Sequence, residues 1–436
     1  MTEEKHTSVP ASRLKRFGRF TRLAGRVAKG TAAEGIRQLA AGNRPKLRDM
    51  VLTPANAKRL TEELSKMRGA AMKLGQMLSM DSGDFIPEEL TQILAHLRAD
   101  AHYMPYRQLE QQLELAYGEQ WATQFASFER TPIAAASIGQ VHRATSHEGT
   151  ELALKIQYPG VRDSIDSDVS NLATLLRMTG LLPRGIDLTP ILDEVRKQLR
   201  EEASYLQEAQ YLETYGEHLA GDERFILPAL IKDQSRDNIL VMSYIESSPI
   251  DFLKQQPQPV RDQAVSHLFE LFLRELFELR LMQTDPNFAN YRYQVESGKL
   301  VLLDFGATRK FTAKFSSGYL RLIKAMVSRD ESRILKAAQN IGYHSEGISA
   351  EYEQLLLRIF LMVGEIFDSS EPYDFERSDL VVRLNRLNDD VMRFQSEWKA
   401  PPVDCLYVHR KLGGLYLMAR RLRARVAIGA LLEKYL

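Results

Sequence analysis

Three side chains between Gln283 and Gly306 have the types and spacing to handle a nucleotide and its metal. Asp285 opens Asp-x-x-x-x-Asn with Asn290. Asp304 opens Asp-Phe-Gly 19 positions later, after the apolar run Leu300 to Leu303. A loop carboxylate can orient or deprotonate an attacking hydroxyl or water. An amide oxygen and a second carboxylate form the hard oxygen set that Mg²⁺ prefers. Two short strands turning at Glu296-Ser297-Gly298 are expected to bring the two aspartates back together. Either piece alone is a weak signal, because Asp-Phe-Gly also ends ordinary strands. The chemistry further needs a phosphate-covering loop and a lysine with a carboxylate partner, so the elements upstream decide the reading.

Those elements can be found. Phe125 to Arg130 reads as a strand, and Val141 to Thr145 as a second. Between them runs Pro132-Ile133-Ala134-Ala135-Ala136-Ser137-Ile138-Gly139-Gln140, a loop of small residues. After a turn at His147-Glu148-Gly149, Glu151 to Gln157 reads as a third strand. Leu152, Leu154 and Ile156 occupy one face and Ala153, Lys155 and Gln157 the other. This meander puts Lys155 where it can meet a nucleotide, beneath a loop whose Ala134, Ala135, Ala136 and Ser137 could approach phosphate. Alanine does this more stiffly than glycine. An ordinary hairpin is the alternative, and the downstream aspartates weigh against it. A helix from Thr189 to Tyr215 carries both Glu202 and Glu208. Glu208, 53 residues after Lys155, is the candidate lysine partner, and Glu202 competes for the role. The long gap implies a helical insertion. Phe225 to Ala229 and Ile239 to Ile245 read as further strands. Backbone groups near Met242, Ser243 and Tyr244 are the candidate adenine contacts, ahead of a linker at Glu246 to Pro249.

From Asp251 the chain reads as mostly helical, apart from the Asp285–Asp304 stretch. Asp304-Phe305-Gly306 leads almost directly into a helix at Lys314 to Ser328. There is no Ala-Pro-Glu and no room for a long activation loop, which counts against a peptide substrate. At the other end, Arg13 to Lys29 holds seven basic residues and no acid. It reads either as a helix lying on an anionic membrane surface or as a solvated, partly disordered leader. A helix with an apolar stripe follows, from Thr53 as N-cap through Leu78. It contains Lys73-Leu74-Gly75-Gln76, which periodicity alone reads as a packing glycine between two surface residues. Residues 85 to 118 read as further helix.

The 436 residues suffice for two or three domain-sized units, at 44% hydrophobic and 26% charged residues. A net charge of +1 gives no bias toward nucleic acid. The one cysteine, Cys405, excludes an internal disulfide and a cysteine-based metal cluster, and reads as a core or surface thiol. No window of about 18 apolar residues predicts a membrane span. The expected setting is cytoplasmic, with any membrane contact peripheral and made through the basic leader.

Taken together these motifs resemble the UbiB/AarF/ADCK family of atypical protein-kinase-like proteins. The resemblance rests on Lys73-Leu74-Gly75-Gln76, Ala134 to Ala144, Leu154 to Val161, Gln283-Thr284-Asp285-Pro286-Asn287 with Asn290, and Asp304-Phe305-Gly306, in the family's order over about residues 55 to 310. It implies an α+β, two-lobed protein-kinase-like fold. Residues 1–50 would be the leader and 51–118 a Lys-x-Gly-Gln helical extension over the active site. Residues 119–249 would form an N-lobe with a helical insertion, and 250–436 a largely helical C-lobe. The resemblance reverses the reading of Lys73 and Gln76, which in this family reach the nucleotide. It implies ATP and Mg²⁺ as cofactors, with Lys155 and Glu208 orienting phosphates, Asp285 acting on the attacking group, and Asn290 and Asp304 holding the metal.

The family is tied to ubiquinone biosynthesis and isoprenoid-lipid handling. The expected function is therefore an ATPase or small-molecule kinase with a quinone-precursor or other lipid ligand and quinone-biosynthesis proteins as partners. A nucleotide-gated lipid-binding chaperone with little turnover is the alternative, and a protein kinase ranks last. Two departures stand out. The family's Glu-x-Asp aligns with Glu202-Ala203-Ser204, so a serine replaces the aspartate. Many relatives carry transmembrane helices that this sequence lacks.

Overall fold

The computed structural model describes residues 69, 70, 73, 103–136, 138–179, 189–368, 371–394, 397 and 401–436. The chain divides into two compact units. One holds Met1–Gln210 and Ala229–Tyr244, the other Tyr211–Pro228 and Ile245–Leu436. The basic leader and most of the Lys-x-Gly-Gln helix lie outside the described residues.

In the first unit helix α1 (Tyr106–Tyr117) opens the continuous description. It stops at Gly118, whose φ of 87° is open to glycine and whose N–H closes on the Glu114 carbonyl. An antiparallel sheet follows: β1 (Ser127–Phe128), β2 (Ala134–Ala135), β3 (Gly139–Thr145) and β4 (Glu151–Gln157). Gly149, at φ 83°, makes the β3–β4 turn expected at His147-Glu148-Gly149. The insertion is helical as expected: α2 (Val161–Thr179), α3 (Thr189–Glu202) and α4 (Tyr205–His218). Strand β5 (Phe225–Ile226) belongs to the second unit, and β6 (Ile239–Ser243) returns to pair with β4.

Leu152, Leu154 and Ile156 point into one core with Ile239 and Val241, where Leu109 and Leu113 of α1 cover them. Each such side chain contributes about 1.5–3 kcal/mol by leaving water. The other face of β4, carrying Lys155 and Gln157, is buried too. A seven-residue strand buried on both faces can present a polar side chain only to a partner inside the protein.

The sequence predicts one helix over Thr189–Tyr215, and the structure has two. The break falls at Ala203-Ser204. The Gln157 side chain, at 2.7 Å, donates to the Ala203 carbonyl and satisfies it there. The strand at Phe125–Arg130 shortens to two residues, and those at Phe225–Ala229 and Ile239–Ile245 also end early.

The second unit pairs β7 (Ser248–Pro249), β9 (Tyr291–Gln294) and β10 (Lys299–Leu302) with β5, in the order β5-β10-β9-β7. β9 and β10 form the hairpin expected from the sequence, turning at Gly298 with φ 69°. β8 (Leu281–Gln283) pairs antiparallel with β11 (Thr308–Lys310). Helix α5 (Gln258–Arg274) ends in a π-turn, Glu275–Leu279, and a left-handed Arg280. The periodicity predicts helix as far as Leu281, and this irregular end hands the chain to β8 instead. The rest is largely helical, including α6 (Ala313–Val327), capped by Thr312. Its last long helix, Val403–Arg421, buries Cys405, Val408, Lys411, Leu412 and Leu415. Among the described residues no helix is long and apolar enough to cross a membrane.

Candidate active site

In the first unit Lys155 and Glu208 meet. The ammonium donates to both carboxylate oxygens, at 2.7 and 2.8 Å. Lys155 is 8% exposed and Glu208 2%. The Tyr205 ring lies 5.2 Å from the ammonium. Between Glu202 and Glu208, geometry gives Lys155 to Glu208. Glu202 lies on the other side of the helix break and pairs with the buried Lys73.

The alanine loop is a tight hairpin. Ala134 pairs with Val141 and Ala135 with Gln140, and the Ala136 N–H closes on the Gly139 carbonyl at 2.9 Å. A Cβ on Gly139 would sit 2.4 Å from the Ile156 carbonyl oxygen, so only glycine fits between β3 and β4 there. Gln140 accepts the Met104 N–H and donates to His142, whose other ring nitrogen donates to the Glu129 carbonyl. Burial holds His142 neutral, pulling its pKa down to about 4. Ser137 and Gln76 lie outside the described residues. Met242 and Ser243 lie on β6, with Tyr244 just after it. The N–H of Ser243 is bonded to the Ala229 carbonyl and that of Tyr244 to the Glu151 carbonyl, both at 2.8 Å.

In the second unit β8–β11 and the β9–β10 hairpin bracket two loops. Asn290, one residue before β9, lies opposite Leu303, one residue before Asp304. The Leu303 N–H bonds to the Asn290 carbonyl at 3.2 Å. The Asn290 amide donates to the Asp285 carboxylate at 3.3 Å and to its carbonyl at 3.2 Å. This leaves the Asn290 side-chain oxygen as the acceptor. Asp304 accepts the Gly306 N–H at 2.9 Å. Two oxygen donors on adjoining ends of one hairpin fit Mg²⁺, which takes few protein ligands and completes its shell with phosphate and water.

Several residues around Asp285 were not anticipated. Arg410 donates to its carboxylate at 2.9 Å. Lys411 donates at 2.8 Å to the Gln283 carbonyl and to the Tyr291 hydroxyl. The Tyr215 hydroxyl donates to Glu275 at 2.7 Å and accepts the Gln283 N–H. Its ring packs 4.7 Å from that of Phe305. Burial raises the Glu275 carboxyl and the Tyr215 hydroxyl. Burial opposes the Lys411 charge, yet Glu275 and Tyr291 outweigh it and hold the ammonium above its usual value. A sequence signal for Lys411 exists: it falls three residues after Val408 and four before Leu415, on the apolar stripe of its helix.

Residues 96–338 match the ABC1 atypical kinase-like domain. The chain is 35% identical over 445 residues to "Atypical kinase coq-8, mitochondrial" of Caenorhabditis elegans, covering all of this chain and 58% of that protein. It is 37% identical over 425 residues to "Atypical kinase COQ8B, mitochondrial" of Rattus norvegicus, covering 97% of this chain and 80% of that one. Among solved structures, the Rv3197–erythromycin complex from Mycobacterium tuberculosis superposes with a TM-score of 0.60 at 24% identity. The match covers 87% of this chain and 95% of that one. At that identity the likeness bears on the fold alone.

Proposed function

This chain belongs to the ABC1 atypical kinase-like family, the UbiB group, and on that premise we propose that it is a Mg-ATP-dependent ATPase or small-molecule kinase serving ubiquinone or isoprenoid-lipid metabolism. The observation that carries the reading is the buried Lys155–Glu208 pair. A lysine fixed by a carboxylate on a buried strand face is what orienting nucleotide phosphates requires. Lys155 would neutralise charge on the α and β phosphates. Asp285 would orient the attacking water or hydroxyl and take its proton. The attacking oxygen forms a bond to the γ-phosphorus as the bond to the β–γ bridging oxygen breaks and ADP leaves. Asn290 and Asp304 would hold Mg²⁺, which when bound offsets charge on the phosphate oxygens. Lys73 and Gln76 would cover the nucleotide, and Ala134 to Ser137 would approach its phosphates. The N–H groups of Ser243 and Tyr244 are engaged within the protein, so adenine would have to use other groups of Met242 to Tyr244.

The quinone connection rests on the family, whose relatives named above are mitochondrial kinases of the COQ8 type. The ligand is accordingly a phenolic quinone precursor or an isoprenoid lipid, with quinone-biosynthesis proteins as partners and peripheral membrane contact through residues 1–50. Purified protein with Mg-ATP is expected to release phosphate, and Asp304→Asn to stop the release. A wild-type protein without turnover, even with vesicles and phenolic precursors present, overturns the enzyme reading. A second reading is a nucleotide-gated lipid-binding module. The Arg410–Asp285 bond favours it, since it occupies a carboxylate oxygen that a base would use. Nucleotide binding without release would select that module.

A further inference from the structure

We infer that Lys411, with Glu275 as its counter-charge, is a positioning residue that clamps both ends of the loop carrying Asp285 and Asn290. The inference deepens the phosphoryl-transfer reading and rests on it for the identity of the reaction. Gln283 is the last residue of β8 and Tyr291 the first of β9, so residues 284–290 form the loop between them. One ammonium reaches both ends. It donates to the Gln283 carbonyl at 2.8 Å and side chain at 3.2 Å, and to the Tyr291 hydroxyl at 2.8 Å. The Glu275 carboxylate lies 3.3 Å from the same ammonium. Its other oxygen accepts the Gln283 N–H at 3.2 Å, so the pair holds that residue's carbonyl and N–H alike.

A merely structural role does not account for this arrangement well. Lys411 is 2% exposed and Glu275 1%. An ion pair so deeply buried is a poor source of stability, and apolar residues of the same shape would serve as well or better. What an ammonium adds is a set of directed bonds to fixed acceptors. The middle of the loop is held by the same helix. A Cβ on Gly414 would come within 2.1 Å of Pro286 Cβ, which makes that contact backbone-close. The hydrogen bonds of Lys411 go to the chain ends, to Gln283 and Tyr291, unlike that of Arg410, which goes to Asp285 directly.

The test uses the full chain as Lys411→Met, Glu275→Gln and the double variant. Each is measured for phosphate release, melting temperature and hydrogen exchange. Lys411→Met is expected to lower kcat about 100-fold with KM for ATP changed much less, the cost of a loop displaced by about 1 Å. It should also speed exchange at the amides of 284–290 while leaving β3 and β4 unchanged. The single variants leave a buried charge unpaired and may not be compared on stability alone, so the double variant decides. It is expected to recover melting temperature but not kcat. Recovery of both would overturn the clamp and leave charge balance as the pair's only role. If the wild type itself releases no phosphate, the reaction fails but exchange still judges the clamp. Faster exchange at 284–290 in the double variant upholds it, and wild-type exchange there overturns it.

Discussion

Glu202 and Glu208 lie six residues apart and hold different lysines, Lys73 and Lys155. On one unbroken helix either could have faced Lys155, which is why spacing alone left both open. The break at Ala203-Ser204 separates them. A sequence signal for it exists, since Ser204 with Gln207 three residues on has the pattern of a capping box. The signal is submerged because both flanking segments read as good helix. Asp285, Asn290 and Asp304 stand out as candidates for a different reason: their order and spacing are tied to a short hairpin that admits little variation. Glu208→Gln keeps the shape but removes the charge beside Lys155. Phosphate release at saturating ATP should fall by about 100-fold, as on removing one preorganised electrostatic contact. Glu202→Gln should leave the Lys155 pair in place and frees Lys73 instead. Equal rates for Glu208→Gln and wild type would remove the Lys155–Glu208 pair from the mechanism.

The helix Val403–Arg421 is the element whose importance the sequence concealed. In the sequence it reads only as part of the mostly helical region that follows Asp251. Yet Asp404 pairs with Arg309 at 2.7 Å, four residues beyond Phe305, and Arg410, Lys411 and Gly414 reach the Asp285 loop. Buried charge on an apolar stripe was the available clue, and it means little until the partner is known. Gly414→Ala tests the packing independently of charge. The added methyl must displace Pro286 or the helix, an overpacking cost of about 1–3 kcal/mol. Because Pro286 follows Asp285, turnover should fall further than a matched loss of melting temperature predicts. Gly413, whose Cβ would meet nothing within 4 Å, is the control, and Gly413→Ala should leave turnover unchanged. Indistinguishable behaviour of the two variants would mean that Gly414 has no special contact with the loop.

The two units carry separate reporters of their own integrity. His142 is fully buried in the first, neutral, with its pKa near 4 against 6.5 for an exposed imidazole. The unfolded chain therefore takes up a proton first as pH falls. Its stabilising contribution is complete above about pH 6.5, declines as pH drops, and is gone below about 4. The full effect is roughly 3 kcal/mol. The melting temperature of this unit should thus fall between pH 6.5 and 4, and His142→Gln should flatten the slope. An unchanged slope in that variant would assign the acid sensitivity elsewhere. In the second unit Cys405 is fully buried, and burial pushes its thiol up to about 12. As the chain's one cysteine, it should resist alkylation in the native protein at pH 8 and react once that unit unfolds. Fast native labelling would contradict the packing around it. Finally, Gly306 and Ala307 are all that separates Phe305 from β11. The next two hydroxyls downstream are already committed, Thr308 inside the protein and Thr312 as the cap of α6. A covalent mark placed soon after Asp304 would thus find little slack to reorganise, and the third hydroxyl, Ser316, is buried as well, donating to the Leu276 carbonyl at 2.7 Å.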